Sequence, residues 1–124
     1  MIIRGTIPSK SNCYRIITIE GHASLGKTAK LKEYEESFYL QCKHRGAMID
    51  RPFKLYVDVY HSTDRPDLDN ALKALLDCLQ YAKVIKNDRK CIEICARKLI
   101  DRKDPRVEIV LHVQENNGEF SILY

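Results

Sequence analysis

Three aspartates, one asparagine and one lysine form the part of this sequence best suited to chemistry. Asp67, Asp69 and Asn70 fall within four residues, Lys73 follows Asp69 at a spacing of one helical turn, and Asp88 comes later. Carboxylate and amide oxygens are the ligands that Mg²⁺ and Mn²⁺ prefer, and such sites keep water positions for exchange with a phosphate. This residue set therefore predicts a divalent-cation site.

A change of hydrophobic period places these residues at the start of a helix. Residues 53–60 alternate apolar and polar side chains, as a half-buried strand does. From Leu68 to about residue 81, leucines recur with the spacing of an amphipathic helix. Asp67 then occupies the N-cap position, and Asp69 lies in the first turn, where the helix dipole favours carboxylates.

An ordinary helix start would use the same residue types. Asp67 would then be a simple cap, and Asp69 would form an ion pair with Lys73 one turn later. The additional carboxylate of Asp88 favours the cation site over this purely structural interpretation.

The motif Asp67-Leu68-Asp69-Asn70 with Lys73, followed by Asp88, resembles the RusA-type Holliday-junction resolvases, which are small endodeoxyribonucleases. The resemblance covers about residues 2–113 and includes Pro8-Ser9-x-x-Asn12-x-Tyr14 near the start of the chain and Lys98 near its end. It implies metal-assisted hydrolysis of DNA at four-way junctions by a homodimer that makes paired, symmetric nicks in recombination and repair.

The resemblance also assigns roles to individual residues. Asp67, Asp69 and Asp88 match the metal-binding, catalytic aspartates, with Mg²⁺ as the ion and Mn²⁺ as a substitute, and Lys73 matches the catalytic lysine. The side chains expected to contact DNA are basic or amide groups: Arg15, Lys27, Arg65, Asn70, Lys86, Arg89 and Lys98.

Two positions depart from the family pattern. Asn87 stands where relatives often carry a second acidic residue, which leaves open whether one or two ions bind. Pro66 replaces a basic residue that frequently precedes the first aspartate, and Arg65 is the candidate substitute for its DNA contact.

The pattern of elements predicts an α+β fold in a single two-layer domain, with a mixed β-sheet of about four to five strands and two main helices. The predicted strands cover residues 1–7, 14–19, 53–60, 91–99 and 106–113, and the predicted helices cover residues 31–45 and 68–81. The strand–helix–strand order predicts that residues 53–60 and 92–98 run parallel, and the last two strands are expected to form a hairpin. The nuclease domain spans residues 1–114, and residues 115–124 are expected to form a flexible tail.

The position of Asp88 raises a geometric problem for this site. A helix of about 14 residues is ~21 Å long, and Asp88 follows its far end. Either the loop 83–90 folds back along the helix, or a second subunit supplies Asp88.

A competing motif lies at residues 21–28, which match the phosphate-binding pattern G-x-x-x-x-G-K-[ST] between a predicted strand and a predicted helix. A protein using Gly21, Gly26, Lys27 and Thr28 would bind ATP or GTP and would be indifferent to loss of Asp69. Too few helices follow to cover both faces of a parallel sheet, which argues against it. A non-catalytic module that binds DNA junctions, with the acidic motif as a helix cap, is the other alternative.

Composition narrows the remaining possibilities. The chain has 124 residues, a net charge of +4 and five cysteines without a CxxC pair, so free thiols in a reducing compartment are expected. With neither an apolar stretch of membrane-spanning length nor a signal-peptide core, the sequence predicts a cytoplasmic location. A zinc site using Cys91, Cys95 and a histidine, and a nucleophilic Cys13, stay open.

Overall fold

A computed structural model describes residues 1–8, 14–19 and 21–123 of the chain. In chain order the strands are β1 (Ile2–Arg4), β2 (Tyr14–Ile19), β3 (His22–Lys27), β4 (Phe53–His61), β5 (Cys91–Ile100), β6 (Arg106–Gln114) and β7 (Phe120–Ile122). The helices are α1 (Ala29–Gln41), between β3 and β4, and α2 (Leu68–Tyr81), between β4 and β5, and a 3₁₀ helix (Asp88–Lys90) precedes β5.

Five of the strands form one mixed sheet in the order β1-β6-β4-β5, with β7 also paired to β6. β5 runs parallel to β4, as the sequence predicts, whereas β1, β4 and β7 pair with β6 in antiparallel fashion. β2 and β3 form a separate antiparallel pair. Together with the two main helices, this confirms the predicted α+β fold.

Strand β4 is the centre of the core. It alternates buried and half-buried residues along its whole length, because successive side chains of a strand point to opposite faces. Its buried side chains, which include Phe53 and Leu55, share one core with Phe38 of α1 and with Leu75 and Leu79 of α2. The helices therefore form one layer against the sheet, and α2 is held firmly above β4.

Helix α1 buries the predicted apolar stripe but has different ends. The stripe consists of Leu31, Tyr34, Phe38 and Cys42, and all four side chains are buried. The helix begins at residue 29 rather than 31, because the hydroxyl of Thr28 accepts a hydrogen bond from the Leu31 N–H (3.3 Å) and caps it. It ends at residue 41 rather than 45, since Cys42 already has an extended backbone.

The prediction that β5 and β6 form a hairpin is wrong, because β4 lies between them. The alternating pattern of β6 suits any neighbouring strand, and the strand beside it is β4, which alternates buried residues along its length, whereas β5 is mostly exposed. The turn 101–105 instead passes the end of β4, where the Asp101 N–H donates to the His61 carbonyl (2.9 Å).

The C-terminal residues also differ from the predicted tail. Phe120–Ile122 forms β7, which pairs with residues 112–114 of β6. The turn between the two strands contains Asn117 and Gly118, and Gly118 has a positive φ of 86°. Asn-Gly is a strong hairpin signal, so the sequence did contain the information that overturns the tail prediction.

The phosphate-binding pattern at residues 21–28 does not form a loop. Residues 22–27 are the extended strand β3, whose backbone pairs with β2 so that Gly26 lies opposite Arg15. A phosphate-binding loop needs successive backbone N–H groups that converge on the anion, and an extended strand does not provide them. The structure therefore contradicts the nucleotide-binding alternative.

No helix in the described ranges is both long and apolar enough for a membrane crossing.

Candidate active site

The acidic motif lies at the start of α2, as predicted. Asp67 is the N-cap residue, with an extended backbone (φ −81°, ψ 145°), and Asp69 lies in the first turn. The carboxylate of Asp67 accepts no capping hydrogen bond from the helix, although the residue occupies the capping position. Both carboxylates are exposed, so their oxygens face solvent at the end of β4.

Lys73 and Asn70 lie beside this pair. Lys73 is exposed and follows Asp69 by four residues, which puts the two side chains on the same face of α2. Asn70 is half-buried in the first turn. The helix start thus brings together four of the five residues with which the sequence argument began.

Lys98 holds the loop that leads to Asp67. Its ammonium donates hydrogen bonds to the backbone carbonyls of Asp64 (3.0 Å) and Pro66 (3.2 Å). Lys98 belongs to β5, where it lies opposite Val59 of β4, so the loop is fixed by the neighbouring strand. The sequence assigned Lys98 a DNA contact, whereas the structure finds its ammonium on the backbone beside the site.

A buried histidine lies below this loop. His61 is the last residue of β4 and is 2% exposed, and its Nε2 has no hydrogen-bond partner among the described residues. Burial, and secondarily the positive charge of Lys98, lower the pKa of His61 below its usual value. Both effects favour the neutral form of the His61 imidazole.

Asp88 lies elsewhere in the chain, beside the C-terminal half of α2. Its N–H donates to the Gln80 side-chain carbonyl (2.8 Å), and its charge contributes to raising the pKa of Asp77. Asp77 comes eight residues after Asp69, a rise of about 12 Å along the helix. Oxygens that share one Mg²⁺ lie only about 4 Å apart, since each is ~2.1 Å from the ion.

The structure accordingly does not assemble the predicted three-aspartate site in one chain. Within the described ranges, no group of three or more histidine, cysteine, aspartate or glutamate side chains is placed to hold a metal ion. Asp67 and Asp69 supply hard, exposed carboxylate oxygens that suit Mg²⁺, but Asp88 is not among them. The same observation leaves Cys91 and Cys95 without the further ligand that a zinc site requires.

Asp77 is a further carboxylate on the polar face of α2 that the sequence motif did not include. It is half-buried, and burial first, then the charge of Asp88, raise the pKa of its carboxyl group. The available signal was spacing, because Asp69, Lys73 and Asp77 recur every four residues and so share the polar face of α2.

The cations expected to bind DNA fall into two groups, and those of the first group lie beside carboxylates of the same chain. Lys27 is used within the fold, since its ammonium lies 2.8 Å from the carboxylate of Glu35, a residue that is only 2% exposed. Lys86 is 3.5 Å from Asp50 in an exposed pair of the kind that contributes little to stability.

The second group contains Arg65 and Arg89, which are exposed, with charged groups that make no hydrogen bond or ion pair in the part of the chain that is described. The side chain of Arg15 and residues 9–13 of the early motif lie outside the described structure.

Comparison with known proteins identifies the family to which these features correspond. A family model described as endodeoxyribonuclease RusA matches residues 15–112, more than three quarters of the chain, and includes Asp67, Asp69, Lys73 and Asp88. No curated protein matches the chain.

Proposed function

The chain belongs to the RusA endodeoxyribonuclease family, and from that premise we propose that it resolves four-way DNA junctions by Mg²⁺-dependent hydrolysis. Family membership supports endonuclease activity on branched, Holliday-type DNA, and nucleases of this family generally depend on a metal. Mg²⁺ as the ion, with Mn²⁺ as a substitute, paired symmetric nicks and a role in recombination and repair are the further content of the proposal.

The observation that carries the proposal is the unused carboxylate of Asp67. A capping aspartate normally accepts a hydrogen bond from the first turn and so stabilises the helix. Asp67 does not, and it is exposed together with Asp69. Two exposed carboxylates two residues apart, one of which lacks the capping bond of its position, are suited to bind a hard cation, and we assign both to Mg²⁺.

Each residue at the helix start then has a defined task. Asp67 and Asp69 hold the ion, which when bound supplies an activated water and polarises the phosphoryl oxygen. Lys73 lies on the same face as Asp69 and places a positive charge beside the phosphate, where it offsets the negative charge that develops during hydrolysis. Lys98 holds the loop that leads to Asp67, through hydrogen bonds to the backbone carbonyls of Asp64 and Pro66.

Asp88 enters the site from a second copy of the chain in this proposal. Its position beside Gln80 and Asp77 is too far from Asp69 for the two carboxylates to share an ion within one chain. A homodimer with two-fold symmetry would supply two such composite sites, which matches two symmetric cuts in a four-way junction. The oligomeric state is thereby tied to the chemistry.

A cytoplasmic location is part of the same proposal. Cys42, Cys78, Cys91 and Cys95 are free thiols, which suits a reducing compartment.

The test is cleavage of a labelled synthetic four-way junction with Mg²⁺, with Mn²⁺ and with a chelator. The expected result is paired nicks that need metal and that fall by at least about 10²–10³-fold in Asp69→Asn, while junction binding persists. The matched control is Glu119→Gln, which removes an exposed carboxylate in the β6–β7 turn and should cleave normally.

Junction binding without nicks under either metal would overturn the enzymatic proposal. The chain would then be a non-catalytic junction-binding module, the alternative that the sequence left open.

A further inference from the structure

A surface groove of about 590 Å³ leads to the loop that precedes Asp67. Three parts of the chain form it: the segment from β1 to Pro8, the N-terminal half of α1, and the loop between β4 and α2. The lining residues used below are Arg4, Ile7, Lys30, Tyr34, Arg65 and Pro66. We call this feature the Arg65 groove.

The charge of the Arg65 groove is predominantly positive. Arg4, Lys30 and Arg65 line it from three different elements, against one acidic residue, Glu33. Arg4 is paired with Asp104, but neither Lys30 nor Arg65 forms an ion pair within the described part of the chain. Lys30 is also the second residue of α1, where the helix dipole adds positive potential.

The contrast with Lys27 shows why these cations are available for a ligand. Lys27 is three residues from Lys30, but its ammonium is engaged by the buried carboxylate of Glu35. The side chains of Lys30 and Arg65 are exposed and serve no described polar contact of the fold. Two exposed cations that line one groove from different elements suit a polyanion.

The groove is continuous with the site assigned above. Pro66, part of its wall, immediately precedes Asp67, and the Pro66 carbonyl is one of the two that Lys98 holds. Ile7 and Tyr34 also line it but are almost fully buried, and apart from Glu33 the remaining lining residues are uncharged, so little opposes the approach of phosphates. A DNA strand fits this arrangement. Its backbone phosphates contact the cations, and the phosphate to be cleaved lies at Asp67.

We propose that the Arg65 groove holds the DNA strand that flanks the scissile phosphate, with Lys30 and Arg65 contacting its backbone phosphates. The proposal rests on the function proposed above, because it takes Asp67 as the place of cleavage. It adds the direction from which the strand reaches the site and the two residues that position it.

The experiment measures junction binding by the full-length chain as a function of salt for the double variant Lys30→Gln/Arg65→Gln. Each lost phosphate contact lowers the slope of log K against log [salt] by about 0.9. Two contacts therefore change the slope by about 1.8 and weaken binding by roughly 60-fold at 0.1 M salt.

The matched control is Lys32→Gln/Lys43→Gln, which removes the same charge from exposed positions outside the groove. The slope of log K against log [salt] for this control should differ from that of the parent protein by less than about 0.45, half the change expected for one phosphate contact. Every substituted side chain is solvent-exposed, so all variants should remain folded, and thermal unfolding verifies this.

The possible outcomes separate this proposal from the enzymatic one. If the parent protein binds and nicks junctions while the groove variant binds like the control, the groove proposal is overturned and the resolvase proposal stands. If the parent protein binds without nicking, the enzymatic proposal fails, and the salt slopes still decide whether the groove carries DNA. Failure of the parent protein to bind junctions would overturn the groove proposal directly.

Discussion

The two α-helices begin in opposite ways. At the start of α1, the Thr28 hydroxyl caps the helix, and the preceding residue, Lys27, pairs with the buried carboxylate of Glu35. At the start of α2, Asp67 occupies the equivalent position but makes no capping hydrogen bond, and Asp69 is exposed within the first turn. The groups named at the start of α1 serve the fold, whereas the carboxylates of Asp67 and Asp69 at the start of α2 face solvent.

This difference indicates where to look for function. Two carboxylates near each other repel, and a bound cation would remove that repulsion, so this pair at the start of α2 favours a cationic ligand. The loop that precedes α2 is instead held from the neighbouring strand, through hydrogen bonds from the Lys98 ammonium to the carbonyls of Asp64 and Pro66. The phosphate-binding pattern of residues 21–28 thus precedes the helix start whose Thr28 and Lys27 are engaged in the fold.

Among variants outside the acidic motif, the largest effect should come from removing the Lys98 support of the loop before α2. In Lys98→Met, the carbonyls of Asp64 and Pro66 lose their donor, and the position of Asp67 becomes less defined. We expect the Mg²⁺ concentration for half-maximal cleavage to rise about 10–100-fold, as for other residues that orient metal ligands. Junction affinity should stay constant, and Lys98→Arg should restore part of the metal response.

Metal titrations of cleavage, run beside Lys103→Met as a control from the 101–105 turn, provide the measurement. Weaker junction binding with an unchanged metal response would instead support the DNA contact that the sequence assigned to Lys98.

A smaller effect is expected at the start of α1, and on stability rather than chemistry. Lys27→Met leaves the carboxylate of Glu35, which is 2% exposed, without its partner. We expect the free energy of unfolding to fall by about 1–2 kcal/mol, below the range for fully buried pairs because Lys27 is itself 40% exposed. Denaturant unfolding measures this change, and Lys27→Met/Glu35→Leu should recover part of the loss.

A stable Lys27→Met variant with impaired junction binding would contradict this assignment of α1. Lys27 would then belong with the DNA contacts, and the two helix starts would not differ in the way described.

The smallest effect concerns pH and the buried His61 below α2. Because burial and Lys98 lower the pKa of His61 in the folded state, the unfolded chain takes up a proton more readily than the folded one. The stabilising effect of the neutral imidazole is complete above the unfolded pKa of about 6.5 and decreases as the pH falls below it. His61→Gln should therefore lose less stability than the parent protein between pH 7.5 and pH 5.

Parallel unfolding curves at several pH values test this prediction. Equal pH dependence in the two proteins would mean that the His61 imidazole titrates normally and is not kept neutral by its surroundings.

The sequence predicted much of α2 but little of what supports it. The switch from alternating to helical periodicity located Asp67 and Asp69, because it is a local pattern, and the strand–helix–strand order predicted that β4 and β5 run parallel. The position of β4 between β5 and β6 was missed, since an alternating strand does not specify its neighbour.

Contacts between distant residues were also missed, for a physical reason. The bonds from Lys98 to two loop carbonyls leave no signature in spacing or composition, because they depend on the register of β5 against β4. The sequence also does not reveal whether a residue at an N-cap position forms the capping hydrogen bond. Thr28 and Asp67 are both suitable caps, but only Thr28 forms the bond. Asp77 was within reach, as it repeats the spacing of Asp69 and Lys73.

The most direct test of the central claim is mixing two inactive variants, Asp69→Asn and Asp88→Asn. If the site takes Asp69 from one subunit and Asp88 from another, each mixed dimer contains one intact site and one doubly altered site. Random mixing should then restore nicking to about a quarter of the parent level, in one strand per junction rather than two. Mixed dimers isolated with two affinity tags that show no nicking would contradict a site shared between subunits.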